Sequence, residues 1–160
     1  MSDGELIYRA VSATEIAQAR ALFEEYAASI GIDLCFQNFD LELATLPGAY
    51  APPRGALLLA GPREQPTGCA ALRPLSGGDS RIGEVKRLYV RSEARGSGLG
   101  RALVLRILDD ARAIGYRELK LDTLAMMTAA RALYASLGFR ECDAYYHNPL
   151  GGTVYMSLAL

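Results

Sequence analysis

Three glycines at alternate positions, Gly96, Gly98 and Gly100, are the residues whose type and spacing first suggest chemistry in this chain. They follow a β-branched and aromatic run, Val85 to Val90, that predicts a strand, and a helical pattern begins at Leu99. Glycine lets backbone N–H groups turn inward without a Cβ in the way, and a helix start adds unpaired N–H groups and the positive end of its dipole. The strand, loop and helix together predict a cradle for phosphate.

The spacing of this loop separates three kinds of phosphate-binding motif. A P-loop needs G-x-x-x-x-G-K-[ST], and no Lys follows Gly100, while a dinucleotide fingerprint needs G-x-G-x-x-G instead of the G-x-G-x-G found here. The pattern [RQ]-x-x-G-x-[GA] fits Arg95, Gly98 and Gly100. With L-Y-V upstream of Arg95 and L-Y-x-x-x-G-F over 133–139, the chain resembles the GNAT superfamily of acetyl-CoA-dependent N-acetyltransferases.

The resemblance implies an α/β fold, with a mixed, mostly antiparallel central sheet, a splayed parallel strand pair and helices on both faces. It also implies one domain over 1–160 and acetyl-CoA as co-substrate, with no metal. In such a fold the pantetheine arm enters the splay and pairs with strand backbone, while the pyrophosphate sits on the glycine loop. The cofactor-binding residues that the resemblance implies are Leu88, Tyr89, Val90, Arg95, Gly96, Ser97, Gly98, Leu99, Gly100 and Arg101.

Acetyl transfer to an amine needs a base, because an alkyl ammonium with a pKa near ~10 must lose a proton before it attacks the thioester. Glu84 lies six residues before Val90, where many members of the GNAT family place a basic Glu. Alternation along the strand predicts that Glu84 shares a face with Lys86, Leu88 and Val90. The alternative for Glu84 is an ion pair with an Arg of a neighbouring strand.

The reaction also needs an acid, because the tetrahedral intermediate expels a thiolate. Tyr134 occupies the Tyr position of L-Y-x-x-x-G-F, and its hydroxyl can donate a proton without ionising first. The alternative is a core aromatic, since Ala130, Leu133 and Leu137 share its helical spacing. One departure from the family is Met127, which stands where an Asn is usual.

The acceptor is an amine of a small molecule or of a peptide, and the sequence leaves that choice open. Phe36, Tyr145 and Tyr146 belong to polar-aromatic segments that are candidates for the walls of an acceptor pocket or for packed turns. A non-catalytic sensor that binds acetyl-CoA or CoA is the alternative function, and Met127 is the feature that favours it. The retained Glu84 and Tyr134 favour the enzyme.

Composition agrees with an enzyme domain. The chain has 160 residues, of which 51% are hydrophobic and 22% charged, and its net charge is −1. Nucleic-acid binding is disfavoured by this acidity, and no apolar run approaches the roughly 20 residues of a membrane span. The polar, acidic N-terminus predicts a cytoplasmic protein. A homodimer is left open.

Charged side chains are unevenly distributed along the chain. Residues 1–50 carry eight acidic against two basic side chains, whereas residues 86–112 carry seven basic against three acidic ones, which suits an anionic cofactor at the loop. A cationic substrate near the N-terminal elements and an ordinary solvated face are equal alternatives for the acidic half.

One His and three scattered Cys make a metal site unexpected, and the cysteines are expected to be reduced core thiols.

Hydrophobic periodicity and turn residues predict the remaining elements. The box S-A-T-E from Ser12 to Glu15 opens a helix that Gly31 ends. A strand, helix and strand around the glycine loop imply a parallel pair, and the earlier hairpins imply antiparallel pairing. The predicted strands cover 6–11, 56–60, 68–72, 85–90, 119–123, 139–146 and 153–158, and further helices cover 39–46, 99–114 and 128–137.

Overall fold

A computed structural model of the chain describes residues 6–31, 34, 38–149 and 151–160. Phe36, a candidate for the acceptor pocket, lies outside this part. The described strands are β1 Ile7–Arg9, β2 Ala56–Ala60, β3 Gly68–Pro74, β4 Ile82–Val90, β5 Glu118–Leu124, β6 Arg140–Cys142 and β7 Thr153–Ala159. The described α-helices are α1 Ala13–Ile30, α2 Phe39–Thr45, α3 Leu99–Ile114 and α4 Thr128–Ser136.

The seven strands form one sheet in the order β1-β2-β3-β4-β5-β7-β6. Every neighbouring pair is antiparallel except β4 and β5, which run parallel. The crossover from β4 to β5 passes through α3, as a parallel connection requires. The predicted mixed, mostly antiparallel sheet with one parallel pair is confirmed.

Helices cover both faces of the sheet because β2 and β3 alternate two sets of apolar side chains. Leu58 and Leu72 pack on one side with Leu103 and Ile107 of α3. The opposite core contains Leu57 and Leu59 of β2 with Leu22 and Phe23 of α1, and it also takes in Phe39 of α2. Burying each of these side chains contributes roughly 1.5–3 kcal/mol, so both cores hold the sheet in place.

The box at the start of α1 forms as the sequence predicts. The Ser12 hydroxyl accepts the Glu15 N–H at 3.1 Å, and the Glu15 carboxylate accepts the Ser12 N–H at 3.0 Å. Gly31 ends the helix with φ of 65°, a conformation that suits glycine. The boundaries of α1 therefore follow from local chemistry.

The parallel strands part after a short contact. Pairing runs from Ile82 opposite Glu118 to Glu84 opposite Lys120 and then stops, although β4 continues to Val90. The edges of the two strands are unpaired with each other beyond this point. The result is the splay that the family resemblance implies.

A β-bulge interrupts β4 at Arg87. Cys69 lies opposite Tyr89 and Ala71 lies opposite Lys86, so β4 carries one more residue than β3 between these pairs. Arg87 has φ of 62°, in the left-handed region that a residue with a side chain rarely adopts. The bulge therefore displaces the second half of β4 by one position relative to the first.

This displacement changes which side chains share a face. The expectation that Glu84, Lys86, Leu88 and Val90 point the same way is wrong. Leu88 and Val90 pack with Val85 against the core beneath α3, whereas Lys86 lies opposite a β3 residue of the other core. The extra residue at the bulge reverses the alternation, so Glu84 and Lys86 lie on the face away from α3.

Strand β6 is shorter than predicted. It ends at Cys142, and residues 143–149 are irregular where the sequence predicts a strand up to Tyr146. The hydroxyls of Tyr145 and Tyr146 both reach carboxylates on the same face of the sheet. Neighbouring residues of a strand point to opposite faces, so this pair of contacts requires an irregular backbone.

Two further expectations concern the cysteines and the membrane. Cys69 is a buried thiol, as expected, but Cys142 is only half-buried, and Cys35 lies outside the described residues. Among the described residues, none of the helices is both long and apolar enough to traverse a bilayer.

Candidate active site

The glycine loop links β4 to α3 and presents backbone instead of side chains. Gly96 and Gly98 have φ of 84° and 83°, so both need glycine. A Cβ at either position would meet no other atom within 4 Å, which leaves the space in front of the loop open. Gly98 precedes the first turn of α3, and that turn holds no acidic residue. An anion is favoured here by the open N–H groups and the helix dipole.

The polar side chains of the loop are engaged within the protein. Arg95 Nε donates to the carbonyl of Val90 at 2.9 Å, and Arg101 Nη1 donates to Ser136 Oγ at 3.1 Å. The Ser97 hydroxyl donates to a backbone carbonyl three residues earlier. Each guanidinium keeps further N–H donors, so these contacts orient Arg95 and Arg101 beside the loop without using up their hydrogen-bonding capacity.

A cleft of about 760 Å³ extends from the glycine loop between the end of β4 and the start of α4. Its far wall is formed by residues 126–130 and by Leu133, and Tyr26 and Ile30 of α1 close one side. Ser97 and Arg101 are absent from this wall. The predicted cofactor-binding residues that line it are Leu88, Tyr89, Val90, Arg95, Gly96, Gly98, Leu99 and Gly100.

A smaller cavity of about 40 Å³ adjoins the inner end of the cleft. The two spaces share the wall residues Tyr26, Ile30, Leu88, Met127 and Ala130. The smaller cavity adds polar groups that the cleft lacks, namely Lys86, Arg87, Asp122, Thr123, Tyr134 and Asn148. A ligand arm in the cleft would therefore point at the polar cavity.

Tyr134 lies on the wall of the small cavity and is 6% exposed. Its ring packs edge-on against Phe139, with centroids 5.6 Å apart. Burial raises the pKa of Tyr134, so the hydroxyl keeps its proton throughout the neutral range. We find no hydrogen bond from this hydroxyl to another described residue, which leaves the proton available to a ligand.

Glu84 is held by three groups and is 1% exposed. Arg73 Nε of β3 donates to Oε1 at 2.9 Å, the Tyr145 hydroxyl donates to Oε2 at 2.7 Å, and Lys86 Nζ lies 3.6 Å from Oε2. The ion pair with a neighbouring strand's Arg is therefore present. Glu84 lines neither the cleft nor the small cavity, and its role as base stays a prediction.

Asp122 of β5 lines the small cavity, and sequence reasoning missed it as a candidate. Its carboxylate lies 3.4 Å from Lys86 Nζ and accepts the Tyr146 hydroxyl at 2.7 Å. Burial raises the pKa of Asp122, but the Lys86 ammonium and the Tyr146 hydroxyl outweigh it and hold this pKa below its usual value. The alternation in L-K-L-D-T could have indicated it, because Leu119 and Leu121 share the apolar face of β5 and Asp122 points to the other face.

Tyr145 and Tyr146 form an aromatic cluster with Tyr155 of β7. The three ring centroids lie 5.3 to 5.7 Å apart. Tyr145 and Tyr146 present their hydroxyls to the carboxylates instead of lining either cavity. Their role as acceptor-pocket walls stays a prediction, and the observed contacts orient Glu84 and Asp122.

Met127 stands at the junction of the cleft and the small cavity. Its backbone N–H donates to the carbonyl of Leu124 at 2.9 Å, and its sulfur lies 3.8 Å from Thr123 Oγ1. An apolar thioether therefore occupies the place where the family often has an amide.

Comparison with known proteins decides the family. The model of the acetyltransferase (GNAT) family matches residues 17–139. The chain belongs to the GNAT family. It is 42% identical, over 142 residues, to an uncharacterized N-acetyltransferase of Schizosaccharomyces pombe. The aligned region covers 88% of this chain and 86% of the relative. The protein is therefore an acetyltransferase.

Solved GNAT structures share the fold. An acetyltransferase from Streptococcus agalactiae superposes with a TM-score of 0.78 at 21% identity, over 96% of this chain and 97% of the other. The protein yncA of Salmonella typhimurium, solved with its cofactor acetyl-CoA, superposes with a TM-score of 0.66 at 22% identity, over 96% and 92%. The GNAT family uses acetyl-CoA, and the described loop and cleft are suited to a ligand of that chemistry.

Proposed function

We propose that this GNAT enzyme transfers the acetyl group of acetyl-CoA directly to a primary amine of a small molecule or peptide, in a ternary complex. One observation carries the proposal. The cleft at the glycine loop shares wall residues with the small cavity, which lies between β4 and β5 and has Tyr134 on its wall. A donor with a phosphate end and a reactive end separated by a narrow arm fits these two adjoining spaces.

The donor would be held largely by backbone. The inner edge of β4 from Leu88 to Val90 is unpaired with β5, so amides of the pantetheine arm can add to it as an extra strand. The pyrophosphate would take the N–H groups of Gly96 to Gly100, with Arg95 and Arg101 adding charge-assisted hydrogen bonds. The acetyl-CoA bound to yncA supports the same donor here.

The reaction forms one bond and breaks one. The amine lone pair attacks the thioester carbonyl carbon, and the tetrahedral intermediate collapses with loss of the CoA thiolate. Tyr134 is the proposed acid for that thiolate, since its protonated hydroxyl lies on the cavity wall. The nitrogen of the intermediate gives up its extra proton to solvent, and the tyrosinate is reprotonated from solvent as the product leaves.

Glu84 is the proposed base that takes the proton of the amine. Its carboxylate lies outside both cavities, so the proton would pass through a water molecule. Glu84 thus acts across one intervening group instead of touching the amine.

Thiol release from acetyl-CoA, measured across a panel of aliphatic, aromatic and peptidyl amines, tests the proposal. Amine-dependent release, with the acetylated amine identified by mass, is the expected result. A rise in melting temperature with acetyl-CoA but no release with any amine would instead favour the sensor that Met127 suggests.

A further inference from the structure

We propose that Asp122 binds the ammonium group of the acceptor, and that the acceptors are therefore amines that carry a positive charge at neutral pH. This inference rests on the proposed acetyl transfer and adds the residue that selects the second substrate. Asp122 lies two residues beyond Lys120, the last residue of β5 that pairs with β4. It therefore stands where the two strands have just parted.

Access distinguishes Asp122 from Glu84, the other carboxylate near the Lys86 ammonium. Within the described part of the small cavity's wall, Asp122 supplies the sole carboxylate, and Tyr134 lies on the same wall. The Asp122 side chain is 14% exposed and that of Glu84 only 2%. An amine that approaches a thioester beside Tyr134 therefore meets Asp122 before any other described acid of this cluster.

Charge compensation points the same way. Arg73, Glu84, Lys86 and Asp122 alternate in sign along one face of the sheet. Glu84 has a cation on each side, whereas Asp122 has the Lys86 ammonium on one side and an uncharged hydroxyl on the other, with a weaker electrostatic effect from Arg87. The end of this row is the position where a further cation is favourable.

The hydrogen-bonding capacity of Asp122 allows the contact. Each carboxylate oxygen can accept two hydrogen bonds, and the described contacts supply one to Oδ1 and one to Oδ2. The nearby Arg87 guanidinium does not compete, because both of its contacts go to Glu42. The Tyr146 hydroxyl fixes the orientation of the carboxylate toward the cavity.

The chemistry assigns Asp122 to binding and leaves the proton transfer to another group. Alkyl amines arrive protonated, and a charge-assisted hydrogen bond to a carboxylate strengthens binding about ten- to a hundredfold. The lowered pKa of Asp122 makes it a weak base, so the proton passes on to the proposed base or to water. Asp122 thus selects the acceptor by charge.

The test compares wild type with Asp122→Asn, using the aliphatic amine that reacts best in the panel. Two competing probes report on charge. The first is the N,N-dimethyl form of that amine, a cation that yields no stable amide. The second is the alcohol with the same carbon skeleton. We expect the cation to compete with the acceptor in wild type at least tenfold better than the alcohol. In Asp122→Asn this preference should vanish and the KM for the amine should rise about ten- to a hundredfold.

Asp109→Asn is the matched control, because Asp109 is an exposed carboxylate on α3 and should leave every constant unchanged. The acetyl-CoA-induced melting shift verifies that each variant folds, and Asp122→Ser serves if the Asn variant does not. Equal inhibition by the two probes in wild type, or a preserved preference in the folded variant, overturns the inference. No thiol release by wild type with any amine would instead overturn the proposed function itself.

Discussion

Arg87 and Glu42 form a two-pronged ion pair between β4 and α2. Arg87 Nε and Nη2 lie 2.9 and 3.0 Å from the two Glu42 carboxylate oxygens, and their side chains are 2% and 10% exposed. The Arg87 guanidinium also stacks over the Phe39 ring at 5.0 Å. The same Arg87 carries the positive φ of the bulge, so α2 is tied to the point where β4 turns toward the cleft beside the glycine loop.

Glu42→Gln should therefore destabilise the protein strongly. The substitution keeps the shape but leaves the buried Arg87 guanidinium without its counter-charge, a loss that typically costs about 3–5 kcal/mol. Urea unfolding measures the change. Glu141→Gln is the matched control, because its ion pair with Arg131 is largely exposed, and it should cost less than about 1 kcal/mol. Equal losses of unfolding free energy in the two variants would show that the buried ion pair stabilises the protein no more than the exposed one.

Gly98→Glu should abolish the rise in melting temperature that acetyl-CoA produces in wild type. A Glu side chain would fill the open space before the loop and repel the pyrophosphate. Wild type should gain about 2.7 kcal/mol at a ligand concentration a hundredfold above Kd. Differential scanning fluorimetry with and without acetyl-CoA measures this.

The control for the loop is Gly77→Glu. Gly77 has φ of 68° and open space around it, so it bears the same backbone cost, but it lies in the turn between β3 and β4. Both variants should melt below wild type, and only Gly77→Glu should keep the acetyl-CoA shift. A full shift in Gly98→Glu would mean that the cofactor binds elsewhere.

Tyr134→Phe should lower kcat by about ten- to a thousandfold while acetyl-CoA affinity changes little, because the lost contact is made chiefly in the transition state. A donor with a more acidic thiol needs less protonation, so it should narrow the difference between variant and wild type. Steady-state rates with both donors measure this.

Tyr8→Phe is the matched control for Tyr134. Tyr8 is also 6% exposed, and its hydroxyl has no hydrogen-bond partner among the described residues, but it lies in the core beneath α1. Loss of the Tyr8 hydroxyl should leave turnover unchanged. If Tyr134→Phe also turns over at the wild-type rate when chemistry is rate-limiting, Tyr134 is a packing residue and another group is the acid.

Glu84→Gln should lower turnover by about 10²–10⁴-fold near neutral pH and recover part of it as rising pH deprotonates the amine unaided. It should also reduce stability, because Arg73 and Lys86 lose their shared counter-charge. Rate against pH from 6 to 9 separates the two effects, since loss of packing alone brings no recovery at high pH. Wild-type rates over that range would assign the base to another residue.

Local chemistry by itself determined most elements and the glycine loop of the candidate site. The Ser12 and Glu15 box, the stops at Gly31 and Gly115, and the glycine loop before α3 all depend on residues within a few positions of one another. Such patterns are readable because each hydrogen bond and each φ value involves near neighbours.

The proposed acceptor end was decided by tertiary structure alone. Glu84 meets Tyr145 across 61 residues, and Arg87 meets Glu42 across 45. The bulge at Arg87 reverses a face that alternation assigned, and the separation of β4 from β5 exposes Asp122 to the cavity. Strand register and the meeting of distant buried charges depend on how the whole sheet packs between its two helical layers, so no short stretch of sequence contains them.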